Sequence, residues 1–246
     1  LPTVRPRHAP YHGGWLPHHD LHGVQLHQTS VATQSLSVSQ QYSASAYSMT
    51  MWDGPSTYDA IIENTTMPII VSDYNPAWPA LFTQLANPIH HQLGAFPTAT
   101  IEHVGSTSVP GLAAKPIIDM DIVVQNMADI PAIIAALAPL GYVHRGNLGI
   151  AGREAFARPV DTFPHHLYLG HIDAPSIRNH LLLRDYLRQH PQAVAIYTQL
   201  KHDLAARCGD DIDGYVAGKS QFIAEILTAQ GMIAADVTDI QRQNRS

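Results

Sequence analysis

Apolar residues over the first fifty positions follow neither the 3.6-residue period of a helix nor the two-residue period of a strand. Ser, Gln and Thr fill much of 28–50, and such a segment buries too little apolar surface to offset the entropy of ordering it. Residues 1–66 are therefore expected to be a disordered or non-native extension. Met49, Met51 and Met67 lie just ahead of the first patterned segment. A His-rich metal tract built on His18, His19 and His22 is the alternative for this region, weakened by the absence of Cys and the presence of a single acid, Asp20.

From Pro68 the pattern tightens. Ile69, Ile70 and Val71 predict a short strand. Trp78, Leu81, Phe82, Leu85, Ile89 and Leu93 recur at helical spacing, with Pro88 expected to kink the helix. Strands are predicted over 99–104 and 117–124, with a Gly-Ser-Thr-Ser-Val-Pro-Gly loop between them. A helix over 130–140 is capped by Asp129 and ended by Gly141. Two more strands follow at 154–160 and 166–172. Beyond Ala174 the period is helical, divided by Pro191 and Gly209 into three helices, and the residues after 231 lose the pattern and are expected to fray. This order predicts α+β or α/β with a small mixed sheet.

Composition narrows the classes. Charged residues make up only 14% of the 246, and the 16 histidines outnumber the 14 lysines and arginines together. A net charge of -6 disfavours a general nucleic-acid binder, whose affinity rests on many phosphate-neutralising cations. The single cysteine, Cys208, excludes an internal disulfide framework and nothing marks it as a nucleophile. No stretch reaches the roughly 18 apolar residues that a membrane helix needs, and a cytoplasmic, non-membrane protein is expected.

The chemistry concentrates in Ile101-Glu102-His103-Val104-Gly105-Ser106-Thr107-Ser108-Val109-Pro110-Gly111-Leu112 and Lys115-Pro116-Ile117-Ile118-Asp119-Met120-Asp121-Ile122. Side chains alternate along a strand, so Asp119 and Asp121 share one face while Ile118, Met120 and Ile122 take the other. Carboxylates about 7 Å apart, two strand positions, repel in a partly dry site unless a cation lies near. A divalent ion such as Mg2+ or Mn2+, which takes oxygen ligands and keeps positions open for phosphate, answers that need. Gly105 and Ser106 after a strand let backbone amides and a hydroxyl approach a phosphate, and Thr107 and Lys115 follow closely.

The Gly-Ser turn and the spaced Asp-x-Asp resemble the signature of the polymerase-beta-like nucleotidyltransferase superfamily. "IEHVGSTSVPGLAAKPIIDMDIVV" resembles the hallmark of the GrpB family within it. "VSDYNPAWPALF", "NHLLLRDYLRQHP" and "DDIDGYVAGKSQFIAEIL" are similar to that family's other segments. The resemblance implies an α+β fold over 67–231, a nucleotidyltransferase-like small mixed β-sheet flanked by helices with a C-terminal helical extension, and 232–246 as the tail.

It also implies Gly105 and Ser106 as the phosphate-contacting pair, Asp119 and Asp121 as catalytic metal ligands, and a nucleoside triphosphate as substrate. The acceptor would be a small molecule or a protein. GrpB-like domains joined to dephospho-CoA kinase add a coenzyme A context. Superfamily members usually carry a third carboxylate on a later strand. This chain has His165-His166-Leu167-Tyr168 there, and Tyr168 departs from the family's His-Leu-His. His166 is then the third metal ligand or the catalytic base, or the substrate differs, or catalysis is absent and the protein is a nucleotide- or coenzyme-A-related binding module.

Other cations are weighed by position. Arg158 and Lys219 are candidate phosphate ligands. Lys201, Lys219 and Lys115 are the chain's only three lysines, while Arg153 and Arg184 read equally as ion-pair partners. Tyr215 reads as packing or base stacking, and His103, His165, His166 and His171 are expected beside or opposite the aspartates. Ser106 and Ser108 do not sit in Gly-x-Ser-x-Gly, which disfavours a serine hydrolase.

Overall fold

A computed structural model describes residues 68–243, so the expectations for 1–66 lie outside the described residues. Helix α1 spans Trp78–Gln92, β1 Thr100–Val104, β2 Ile118–Val124, α2 Ile130–Leu137, β3 Val143–His144, β4 Arg153–Ala157 and β5 His165–His171. The C-terminal helices are α3 Pro175–Gln189, α4 Pro191–Cys208, α5 Ile212–Ala229 and α6 Ala234–Gln243. The architecture is α+β.

The five strands form one mixed sheet in the order β1-β2-β5-β4-β3. Only the β2–β5 pair is parallel. Strand β2, between β1 and the central β5, alternates as its sequence requires. Ile118, Met120, Ile122 and Val124 are fully buried against Trp78, Ala86 and Ile89 of α1 and Ile133 and Leu137 of α2. Its other face carries Asp119, Asp121 and Val123, the last packed with Ala174 and Ile177 at the start of α3.

Several local expectations change. Residues 69–71 form no strand, and this segment contributes one bridge, Ser72 to Ala114. Helix α1 continues through Pro88, because Pro88 and Gln84 both face solvent, where water meets the carbonyl that lost its donor. Asp129 makes no side-chain cap, and Asn126 accepts from the Ala128 amide instead. Gly141 does end the helical run, at φ +85°.

The frayed tail is corrected as well. Residues Ala234–Gln243 are helical, with Val237 and Ile240 buried against Leu227 and Ala224 of α5. Two apolar anchors one turn apart make too faint a period to read in isolation, and packing rather than propensity holds such a helix. Ile240→Ala should cost about 2 kcal/mol of unfolding free energy, measured from the urea midpoint. An unchanged midpoint would return the tail to the frayed state.

Candidate functional site

The site begins where β1 ends. Gly105 turns the chain at φ +67° and ψ -172° so tightly over β2 that a Cβ there would overlap Oδ2 of Asp119. The sequence needs glycine here for two reasons, a left-handed φ and this close approach. Ser106 follows, its Oγ accepting from Nζ of Lys201 at 2.9 Å. Lys201 also donates to the Ala113 carbonyl and sits 4.4 Å over the Tyr197 ring. Thr107 is buried, its Oγ1 bonded to His103 Nε2 at 3.1 Å, so it braces the turn from behind.

Around this turn lies a pocket of about 200 Å3 lined by Ser106, Thr107, Asp119, His166 and Tyr215 together with Lys115, Lys201 and Lys219. All three lysines of the chain therefore converge on one cavity. Tyr215 is buried and packs, and its ring lies under both Lys219 at 4.4 Å and Lys115 at 6.0 Å.

Such crowding of cations in a dry place carries an electrostatic cost. Burial, with Lys219 adjacent, pulls the pKa of Lys201 down to about 6 against the pull of Asp119. Burial and Lys115 lower that of Lys219 to about 8. Lys115 is lowered too, again mainly by burial. The pocket is poised to gain protons and stability from an anion.

The two aspartates have different surroundings. Asp119 opens on the pocket and its Oδ1 accepts from Nδ1 of His166 at 2.9 Å, which the parallel register of β2 and β5 sets directly across from it. Asp121 is fully buried, and its Oδ2 pairs with His180 Nδ1 at 2.8 Å. Burial opposes charge on His180, yet the carboxylates of Asp121 and Asp119 together more than offset this and hold its pKa above the ordinary value. Asp121 Oδ1 is buried with no hydrogen-bond partner.

Reasoning from sequence missed His180, which lies 59 positions from its partner in a helix whose apolar pattern gives no reason to single it out.

The remaining candidates are distributed elsewhere. Arg158 is outside the pocket, closing its own turn by donating to Thr162. Arg153 lies 4.4 Å from the Tyr168 ring, and Arg184 bridges Glu102 and Asp185. Odd-numbered histidines take the opposite face of their strands from the aspartates. His103 stacks on Phe82, His165 pairs with Tyr142, and His171 meets the Gln125 carbonyl. Of the four histidines expected near the carboxylates, His166 alone bonds to one of them.

Oxygen donors from Asp119 and Asp121, one of them an orphaned buried atom, suit a hard divalent cation. His166 does not complete a three-donor cluster: among the described residues no group of three or more His, Cys, Asp or Glu is placed to hold a metal. No described helix is long and apolar enough to cross a membrane.

Comparisons with known proteins agree with this core. A family model described as GrpB protein matches residues 68–229. YqkA of Bacillus subtilis is 39% identical over 150 residues, 61% of this chain, and the chain spans 43% of YqkA's own length. The crystal structure of the conserved protein GrpB from Enterococcus faecalis matches at a TM-score of 0.57 and 32% identity, over 70% of this chain and 99% of that one. A dephospho-CoA kinase of Mycolicibacterium paratuberculosis is 26% identical over 183 residues, 64% of this chain and 45% of that protein.

Two outcomes test the electrostatics. Gly105→Ala should cost about 2 kcal/mol or more, the sum of left-handed strain and displacement of the Asp119 carboxylate, read by denaturant unfolding. Because the folded pKa of Lys201 lies below its unfolded value, the unfolded chain binds more protons between about pH 6 and 10.5 and stability rises with pH there. In Lys201→Met that slope should fall by about one proton, roughly 1.4 kcal/mol per pH unit near pH 8.

Proposed function

The chain belongs to the GrpB family, and from that premise we propose that it binds a nucleoside triphosphate in the lysine-lined pocket and transfers its nucleotidyl group to a small-molecule or protein acceptor. The observation that carries this reading is the convergence of Lys115, Lys201 and Lys219 on the Gly105–Ser106 turn beside Asp119. Three lysine amines, of which Lys201 takes up its proton as the anion arrives, a serine hydroxyl and a glycine with no Cβ make a receptor for a polyphosphate tail.

Asp119 and Asp121 would hold Mg2+ or Mn2+. Bound there, the ion would supply Lewis-acid stabilisation of the charge that develops on the phosphate oxygens. The chain's own groups do the rest. Lys201 and Lys219 neutralise the leaving pyrophosphate. His166 is half exposed, and with Nδ1 fixed by Asp119 it leaves Nε2 to take the acceptor's proton, an arrangement in which a carboxylate orients an imidazole base. The acceptor oxygen bonds to the α-phosphorus, the bond to the bridging oxygen breaks, and pyrophosphate departs. A cytoplasmic site of action accords with the single cysteine.

A second reading is a catalytically inactive nucleotide- or coenzyme-A-related binding module. It is favoured by His166 and Tyr168, which sit across β5 from Asp119 and Asp121 where another carboxylate would serve. The relative described as a dephospho-CoA kinase supports a coenzyme A setting for either reading.

With Mn2+ and each nucleoside triphosphate, the native chain should release pyrophosphate in the presence of an acceptor. Asp119→Ala should abolish release, and Lys219→Met should weaken triphosphate binding by about tenfold or more, the loss of one charged hydrogen-bonding partner. Binding without turnover across a metabolite panel would favour the module, and no binding at millimolar concentration would end both readings.

A further inference from the structure

The Gly105–Gly111 segment has a second side. Ser106 and Thr107 line the lysine pocket, whereas Ser108, Pro110 and Gly111 line a separate cavity of about 710 Å3. That volume lies within the range of about 300–1,000 Å3 typical of small-molecule sites. Its walls are mostly apolar, with Pro79, Leu187 and Val194 among them and Tyr74 at one side. No aspartate or glutamate lines it.

One cation does. Arg188, at the end of α3, donates from Nε and Nη2 to the Ser108 carbonyl at 3.0 and 2.8 Å, which fixes its guanidinium plane. Its Nη1 has no hydrogen-bond partner among the described residues, and the carboxylates of Glu102 and Asp185 are engaged by Arg184 instead. His103 also lines the cavity, and burial together with Arg188 lowers its pKa to about 4, so it enters as a neutral ring. The first turns of α4 supply Pro191, Val194 and Ala195, which brings the positive end of an 18-residue helix to the same space. The chamber thus combines an apolar body with one arginine at its rim, whose plane is fixed by the Ser108 carbonyl and whose charge Glu102 and Asp185 offset only from a distance, without a hydrogen bond to it.

We propose that this cavity is a second binding site, for a small organic monoanion with an aromatic or branched apolar body, whose carboxylate or sulfonate pairs with Arg188. The apolar body fills the space beside Leu187 and Val194, and the head group replaces the water that Nη1 would otherwise need. The site stands apart from the triphosphate reading and does not depend on it, although the two ligands would share the Gly105–Gly111 segment as a common wall.

Calorimetric titration of the full chain with 2-naphthoate tests it. Binding is expected at submillimolar concentration, with the uncharged isostere 2-naphthamide weaker by about tenfold or more, the worth of one charge-assisted pair. Arg188→Met should weaken naphthoate binding by the same factor. Ala195→Trp places a bulky ring at an exposed lining position without touching the core, and should abolish naphthoate binding while leaving tripolyphosphate binding unchanged. Equal binding of naphthoate and naphthamide, unaltered binding in Ala195→Trp, or no binding at millimolar concentration would each overturn the proposal. Tripolyphosphate titrated in the same experiment reports separately on the lysine pocket.

Discussion

Two carboxylates stand on β2, an interior strand of the sheet, and one of them, Asp121, has no exposed surface at all. A buried carboxylate is costly unless a partner or a hydrogen bond compensates it. Much of the remaining architecture meets that requirement. The parallel pairing of β2 with β5 brings His166 to Asp119, the first half of α3 brings His180 to Asp121, and the absent side chain of Gly105 makes room for Asp119 Oδ2. The compensation of Asp121 is incomplete, since its Oδ1 stays unpaired. That remaining acceptor is the physical reason to expect a cation at this strand.

The C-terminal helices are the other half of the pocket and not an appendage to the sheet. Val109 and Leu112, from the segment that follows the Gly-Ser turn, are buried with Leu187, Val194, Tyr197 and Ile226 of the helices. This packing fixes the position of α4 and α5, and with it Lys201 and Lys219, relative to the turn. The lysines are held where water cannot fully solvate them, so part of the packing energy is stored as electrostatic strain that a polyanion would relieve. Positioning charges before a ligand arrives is how a rigid site avoids reorganisation when the ligand binds.

Local pattern made the Gly-Ser turn, the alternation of β2 and the three long helices legible, because periods of two and 3.6 survive in the sequence wherever one face is buried. Strand β3 was not legible: Val143 and His144 are both exposed and two residues carry no period. Helix α6 was missed because its two anchors mean little without α5 beneath them.

At the site the limit is of a different kind. Spacing within one strand could pair Asp119 with Asp121, but no local signal reports that His180 crosses 59 positions to reach the second of them. Register misled as well. His165 and His171 sit in a histidine-rich strand, yet each is an odd number of residues from His166, one and five, which turns them to the opposite face. Arg158 looked like a phosphate ligand because its charge was visible in the sequence and its partner, the Thr162 carbonyl, was not.

The proposed function rests on one pocket in which the lysines and the Gly-Ser turn meet Asp119, with Asp121 buried two positions along the same face of β2 as the second carboxylate for a metal. The most direct test is a crystal structure with Mn2+ and a non-hydrolysable nucleoside triphosphate, using the anomalous signal to locate the ion. The account predicts manganese bound by Asp119 and Asp121, with the terminal phosphates against Ser106, Lys201 and Lys219. A triphosphate bound elsewhere, or phosphates in the lysine pocket with no manganese at the aspartates, would contradict it.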